Sequence, residues 1–565
     1  MLIPARWCSH WCCLLSGVFL AGALAAAAQE PKTFTHADTL RGTNGPARSW
    51  WDVTFYDLHV RIDPADSTIR GENGITYTVL PAGLPVSGVA DAPRQMQIDL
   101  MTPLEVDSMI QDGISVPYRR DGNAFFATLR PPQRAGDRKT IRVFYHGRPR
   151  IAAHPPWDGG FVWTRDSSGH LWVATACQGV GASVWWPNKD IQADEPDSQR
   201  VAVTVPDPMI DVSNGRLRST VHHTDGTTTY EWFVTSPINN YDVAVNAGAY
   251  THLQDSVRGE RGMLSLDYWP LADHVGQART QFAQVKPMLA CFEHWFGPYP
   301  WYADGYKLVE APYLGMEHQS AVAYGNGYLN GYRGRDLSGT GLGLRWDFII
   351  VHESGHEWFG NNITTADIAD MWVHEGFTNY SEGLYTECQQ GTGAGAAYVR
   401  GLRGNVQNDR PIIGAYGVND EGSGDMYYKA SNMLQTIRQI VADDERWRGM
   451  LRGLNATFWH RVVTGAEVQA YMNRTLGLDL TPMFTQYLTT TKIPVLRYRF
   501  RGGTVSYRWT NVVPGFDMPV DVSLGGRTPV RLYPTEKWQT VSLPVRGTQV
   551  FVVESNFYVT AEREK

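Results

Sequence analysis

Apolar and polar positions alternate with a period of two over much of the first half of the chain. Tyr56, Leu58, Val60 and Ile62 are interleaved with Asp57, His59, Arg61 and Asp63, the pattern of a strand with one wet face. Ile141, Val143 and Tyr145 repeat it, and Asn73-Gly74, Asp121-Gly122 and Asn214-Gly215 supply turns. An antiparallel β domain is therefore predicted from about Asp52 to Tyr250. Near Ala272 the spacing lengthens to that of helices, over 281–296, 346–359, 371–387 and 428–441. A glycine-rich loop, 325–343, separates two of these and is not expected to form a regular element. After Pro494 alternation returns: Leu496, Tyr498 and Phe500 against Arg497, Arg499 and Arg501, then Val505, Tyr507 and Trp509. That segment suits a small β-sandwich. The expected plan is multidomain α+β, with divisions at 29–255, 256–490 and 491–565.

The chain has 565 residues, long enough for two to four cores. Its hydrophobic share of 43% and charged share of 19% are those of a folded soluble protein. A net charge of -7 without a long basic run argues against nucleic acid as a partner. Residues 1–28 read as a signal peptide: Arg6, an apolar stretch through Leu24, then an alanine run ending before Gln29. No other segment is a candidate membrane span, so a mature chain exported to the periplasm or medium is expected. Cys8, Cys12 and Cys13 fall within that signal. Cys177, Cys291 and Cys388 remain, and although one pair could bridge, their odd number favours buried free thiols.

The sharpest chemical signal is His352-Glu353-Ser354-Gly355-His356. On a helix, residues four apart share a face, so both imidazoles can reach one ion while Glu353 stands close to a water on it. Apolar Phe348 to Val351 precede the motif, as a buried helix requires. Gly355 costs about 1 kcal/mol in such a helix, which suggests that something approaches closely there. After eighteen further residues comes Glu375, in Trp372-Val373-His374-Glu375-Gly376-Phe377, a suitable third ligand from the next helix. Three protein ligands with a position left for water describe a catalytic zinc, and no cysteine lies near enough in sequence for a closed structural site. Glu353 is then the expected general base.

With those residues in place the sequence resembles the aminopeptidase N family of gluzincin metallopeptidases. Gly315-Met316-Glu317-His318 looks like the family's G-x-M-E-N exopeptidase motif, H-E-x-x-H-x18-E matches in full, and Tyr427-Tyr428-Lys429 fits its Y-x-K pattern. The resemblance implies a β domain, a thermolysin-like mostly helical catalytic domain and a C-terminal β-sandwich, with one Zn2+ per chain and peptides with a free amino terminus as substrates. It implies His352, His356 and Glu375 as ligands, Glu353 as base and Tyr427 as donor to the attacked carbonyl oxygen. Glu317 would pair with the substrate's positive α-amino group, and backbone groups of Gly315 and Met316 would line the substrate. Thr175-Ala176-Cys177-Gln178 resembles the family loop whose glutamine flanks that amine, so Gln178 is a further candidate. His318 stands where the motif has asparagine, which bears on the grip of the residue after the scissile bond. The end at Lys565 also implies a member without the large C-terminal helical domain of many relatives, hence a more open cleft or one closed by another subunit.

Other residues are read as structural. His374 is expected to point away from the metal, and Asn379 and Glu382 to lie on a helix surface rather than orient a zinc histidine. Tyr428 competes with Tyr427, because neighbouring helical positions diverge by about 100° and only one should reach the site. Trp185 and Trp186 should pack in a core. Two alternatives to an aminopeptidase stay open: a zinc endopeptidase, for which Glu317 would be incidental, and a non-catalytic binding protein on the same scaffold.

Overall fold

The alternation that starts at Trp51 becomes a long strand, Trp51–Asp63, at the centre of an eight-stranded sheet. Trp51, Val53, Tyr56, Leu58, Val60 and Ile62 are all buried, and an irregularity between Val53 and Phe55 accounts for the one break in parity. The computed structural model describes residues 33–81, 89–90, 93–524, 528–542 and 550–565. The expected signal peptide lies outside them.

The eight-stranded sheet departs from the expected antiparallel arrangement in one place. Trp51–Asp63 pairs antiparallel with Thr68–Val79 but parallel with Ser198–Pro206. Parallel neighbours need a long crossover, and here the chain builds other strands before it returns. Among these are Gly160–Arg165 and Leu171–Ala176, which form a four-stranded sheet with Ile210–Val212 and Asn246–Gly248. One apolar core unites the two sheets and contains Trp185 and Trp186, both completely buried, as expected. The loop that follows Leu171–Ala176 carries Gln178.

Next comes a five-stranded mixed sheet in the spatial order Leu253–Gly259, Gly262–Trp269, Tyr306–Glu310, Val322–Tyr324 and Gly315–Met316. Its first strand runs across the expected division at 255/256. Gly315–Met316 is its edge strand, antiparallel to Val322–Tyr324. The helix Val285–Phe296 lies in the chain between the second and third of these strands, and Phe348–Gly355, Trp372–Gln390 and Tyr428–Val441 follow them. The first of these helices was expected from residue 281, but the stretch Phe282–Gln284 is a tighter turn between two helices. A four-stranded and a three-stranded sheet close the chain. Their inward residues Leu496, Trp509, Val522 and Phe551 belong to the same apolar core as the helices, so the C-terminal β region leans on the helical one. The multidomain α+β architecture is that expected. Among the described residues, no helix is long and apolar enough to cross a membrane.

The cysteines depart from expectation. Cys291, on Val285–Phe296, and Cys388, near the end of Trp372–Gln390, form a disulfide with Cα atoms 6.2 Å apart. Counting thiols could not show that these two helices pack together. Cys177 is buried and free, and burial pushes its thiol well above the usual range. The bridge spans 97 residues, so it restricts the unfolded chain strongly. Cys388→Ser should cost about 2–4 kcal/mol and lower the thermal midpoint by several degrees. Calorimetry of the native and substituted proteins checks this, and coincident midpoints would contradict it.

Candidate active site

The motif helix begins where Asp347 caps it. Its carboxylate accepts hydrogen bonds from the amides of Ile349 (3.0 Å) and Ile350 (3.3 Å). The same side chain accepts from Gln281, Tyr324 and Asn326 at 2.7–2.9 Å, fixing the helix start against the five-stranded sheet. The regular helix ends at Gly355, earlier than the 346–359 expected, and gives way to a wide turn, Glu357–Asn361. Inside it Phe359 is extended and Gly360 has φ 123°, a conformation that favours glycine. This distortion serves the site, because the freed Phe359 carbonyl accepts from His356 Nδ1 at 2.9 Å.

The buried His352 Nδ1 lies 2.7 Å from Glu382 Oε1, a carboxylate oxygen that can only accept while Glu382 is ionised. Each imidazole therefore carries its proton on Nδ1, and each Nε2 lone pair is free to face inward. The two Nε2 atoms lie 3.6 Å (His352) and 3.3 Å (His356) from Glu375 Oε2. Glu375 Oε2 is itself buried without a hydrogen-bond donor. Three electron-rich atoms converging in this way repel one another unless a cation sits among them. The donor set, two neutral imidazoles and one carboxylate, is that of a catalytic zinc.

Glu375 arrives on Trp372–Gln390, a helix buried on nearly every side. Small residues let its neighbours in. A β-carbon at Gly355 would stand 2.7 Å from Ser381 Oγ, one at Gly376 would stand 2.7 Å from Ala430 Cβ, and one at Gly383 would overlap Val399. The close approach suggested by Gly355 is thus this second helix. Its burial corrects two expectations: Asn379 and Glu382 are not on a helix surface but 1% and 0% exposed. Glu382 accepts from His352, from Asn379 (2.8 Å) and from the Tyr398 hydroxyl (2.7 Å), so it orients the imidazole. His374 does turn away, as expected; its Nε2 accepts from the Thr365 amide at 2.9 Å, and burial pushes its pKa down to about 3.

The other candidate residues surround the same point. The structure brings together Glu317, Glu353 and His356, whose nearest ligand-type atoms lie within 4.8 Å of one another. Gln178 donates to Glu317 Oε1 and, at 3.2 Å, to Glu375 Oε1. The Tyr241 hydroxyl donates to Glu317 Oε1 at 3.2 Å, and Asn361 holds the Glu317 carbonyl at 2.8 Å. The Tyr313 hydroxyl, bonded to the Thr175 carbonyl at 2.7 Å, ties the Gln178 loop to the segment that carries Gly315, Met316 and Glu317. A β-carbon at Gly315 would lie 2.8 Å from Glu353 Oε1, so glycine leaves the base room. Burial pushes the Glu353 carboxyl up to about 7, an effect that the neighbouring Glu317 carboxylate reinforces. Tyr427 sits just outside the helix Tyr428–Val441 and lines the cavity with Glu375, its ring 6.1 Å from that of His352. Because Tyr427 is not helical, Tyr428 also lines the cavity, contrary to the expectation that only one tyrosine would. His318 does not line it: the ring is fully buried, neither nitrogen has a partner, and burial pushes its pKa down to about 3. The cavity holds about 410 Å³.

The chain is similar to known proteins over part of its length. Residues 281–487 match the model of the peptidase family M1 domain. This part of the chain is similar to that domain. Aminopeptidase Ey of Gallus gallus is 30% identical over 146 residues, 24% of this chain and 14% of the relative. Aminopeptidase B of Homo sapiens is 26% identical over 275 residues, 47% of this chain and 37% of the relative. The matches thus span well under half the length of these relatives. A crystal structure of an M1 zinc metallopeptidase from Deinococcus radiodurans, bound to a Tyr-Ser-Ala substrate, shares the fold. It superposes with a TM-score of 0.64 at 21% identity, covering 81% of this chain and 98% of that one.

Sequence reasoning missed Tyr241 and Tyr398, since neither belongs to a motif. It discounted Glu382, whose one signal was its place on the ligand helix, two turns beyond Glu375. Glu382→Ala should weaken zinc binding by roughly 10- to 100-fold, and Tyr398→Phe by less. Competition with a chromophoric chelator measures both, and an unchanged affinity in Glu382→Ala would remove its orienting role.

Proposed function

We propose that the protein is a zinc-dependent aminopeptidase, with one ion held by His352, His356 and Glu375. The observation that carries this reading is the Glu317 carboxylate, buried beside Glu353 and His356 and bonded by Gln178 and Tyr241. A site that only cut within chains would have no use for a fixed negative charge there. Glu317 is suited to the positive α-amino group of a substrate, and Gln178 offers its amide oxygen beside it. That placement puts the first peptide bond over the three ligands.

Bound zinc supplies Lewis acidity, polarising a water and the carbonyl to be attacked. Glu353 takes the proton from that water and returns it to the leaving amine. Tyr427 donates its hydroxyl to the carbonyl oxygen as negative charge develops there. Tight packing around Gly315 and Gly355 keeps the base and ligands in register. The expected signal peptide supports export, and a Cys291–Cys388 disulfide suits an oxidising compartment.

Glu353→Gln is expected to retain zinc and lose turnover, because the ligands stay and the base goes; metal analysis beside an aminoacyl-amide assay separates the two. Tyr427→Phe should lower kcat by on the order of 10²-fold with little change in substrate binding. Acetylating a peptide's amino terminus should abolish its cleavage, whereas equal rates on the free and acetylated forms would point to an endopeptidase.

A further inference from the structure

His318 leaves open what receives the residue after the scissile bond, since its ring is buried away from the cavity. The geometry shows which way that residue must run. Glu317 groups with Glu353 and His356, and Gln178 bridges Glu317 to Glu375, so the substrate's amine lies on the His356 side. With the first carbonyl over the ligands, the chain continues on the His352 side.

That side is a wall of rings. Phe348 stacks on His352 with centroids 5.1 Å apart, Tyr332 meets Phe348 edge-on at 5.3 Å, and beyond His352 follow Tyr427 at 6.1 Å and then Tyr428. Leu337 completes the lining. Tyr332 and Leu337 come from the glycine-rich loop, which is irregular as far as Gly341 but firmly held. Asn326 donates to the carbonyls of Leu329 (2.6 Å) and Gly331 (2.9 Å) and to the helix-capping Asp347 (2.9 Å), while its own oxygen accepts from the Arg333 amide at 2.8 Å. Further along, Asp336 accepts from the Ser338 amide and hydroxyl at 2.9 and 2.8 Å. A floppy loop needs no such pinning; one that presents two side chains to a substrate does.

We propose that Tyr332, Leu337, Phe348 and Tyr428 form the subsite for the second residue of the substrate, and that the enzyme selects peptides in which this residue is large and apolar or aromatic. This rests on the aminopeptidase reading of the same site. Partly exposed rings beside a buried one offer apolar surface that a substrate side chain would cover. The cavity lining includes neither Lys nor Arg, so no side chain there offers a counter-charge to an acidic second residue.

The test uses the zinc-loaded full chain and one first residue, chosen as that of the fastest aminoacyl amide. Its dipeptides with Phe, Leu, Ala, Lys and Asp in second place are compared with the amide, which has no second side chain. Phe and Leu should exceed Ala by roughly tenfold in kcat/KM, with Asp slowest. In Tyr332→Ala and in Leu337→Lys, the ratio of kcat/KM for the Phe dipeptide to that for the amide should fall by roughly tenfold. A profile flat to within twofold, or equal losses on dipeptide and amide in both variants, overturns the subsite alone. Hydrolysis of none of these compounds overturns the aminopeptidase reading and the subsite with it.

Discussion

Three lone pairs converging on one point are costly to bury, and the architecture around them is arranged to keep them there. Neither imidazole chooses its own tautomer. Glu382 claims the Nδ1 proton of His352, and the Phe359 carbonyl claims that of His356. Each Nε2 is thereby committed to face Glu375 Oε2. An outer layer fixes these groups in turn: Tyr398 and Asn379 hold Glu382, and Gly360 permits the distorted turn that exposes the Phe359 carbonyl. The candidate metal centre is best understood as two nested shells of hydrogen bonds on two helices that touch at glycine.

That contact also sets where strain is tolerated. A glycine inside a helix weakens it, yet at Gly355 it lets the ligand helices approach until Ser381 fills the space a side chain would take. The same economy recurs where Gly376 meets Ala430 and Gly315 meets Glu353. Local helix propensity is given up so that ligand, base and substrate strand can be packed within a few ångströms. The disulfide joins the far end of this assembly, linking the helix that bears Glu375 to its neighbour.

The N-terminal β region is part of the site rather than a separate module. It delivers Gln178 and Tyr241 to Glu317, and the core beneath them includes Tyr313 and Met316 from the catalytic region. A carboxylate poised for an amine therefore depends on two parts of the chain meeting correctly. Such a site is assembled by the fold, whereas the two histidines are already paired by one helix turn.

Much was legible in the residue order alone. Period-two and helical spacing placed the β and helical regions, the helix at 428–441 emerged with its expected limits, and H-E-x-x-H with Glu375 picked out three side chains that the fold brings together, the two histidines because one helix turn is a local rule. What remained hidden was non-local. The Cys291–Cys388 bridge, the burial of Glu382 and Asn379, the parallel pairing of Trp51–Asp63 and the withdrawal of His318 from the cavity all depend on which elements pack together. The helix end at Gly355 escaped notice for the same reason, since it is the demand of His356 for a carbonyl that favours breaking it there. Spacing along a chain determines what one element can present; what that element faces is settled only when distant segments compete for the same buried space.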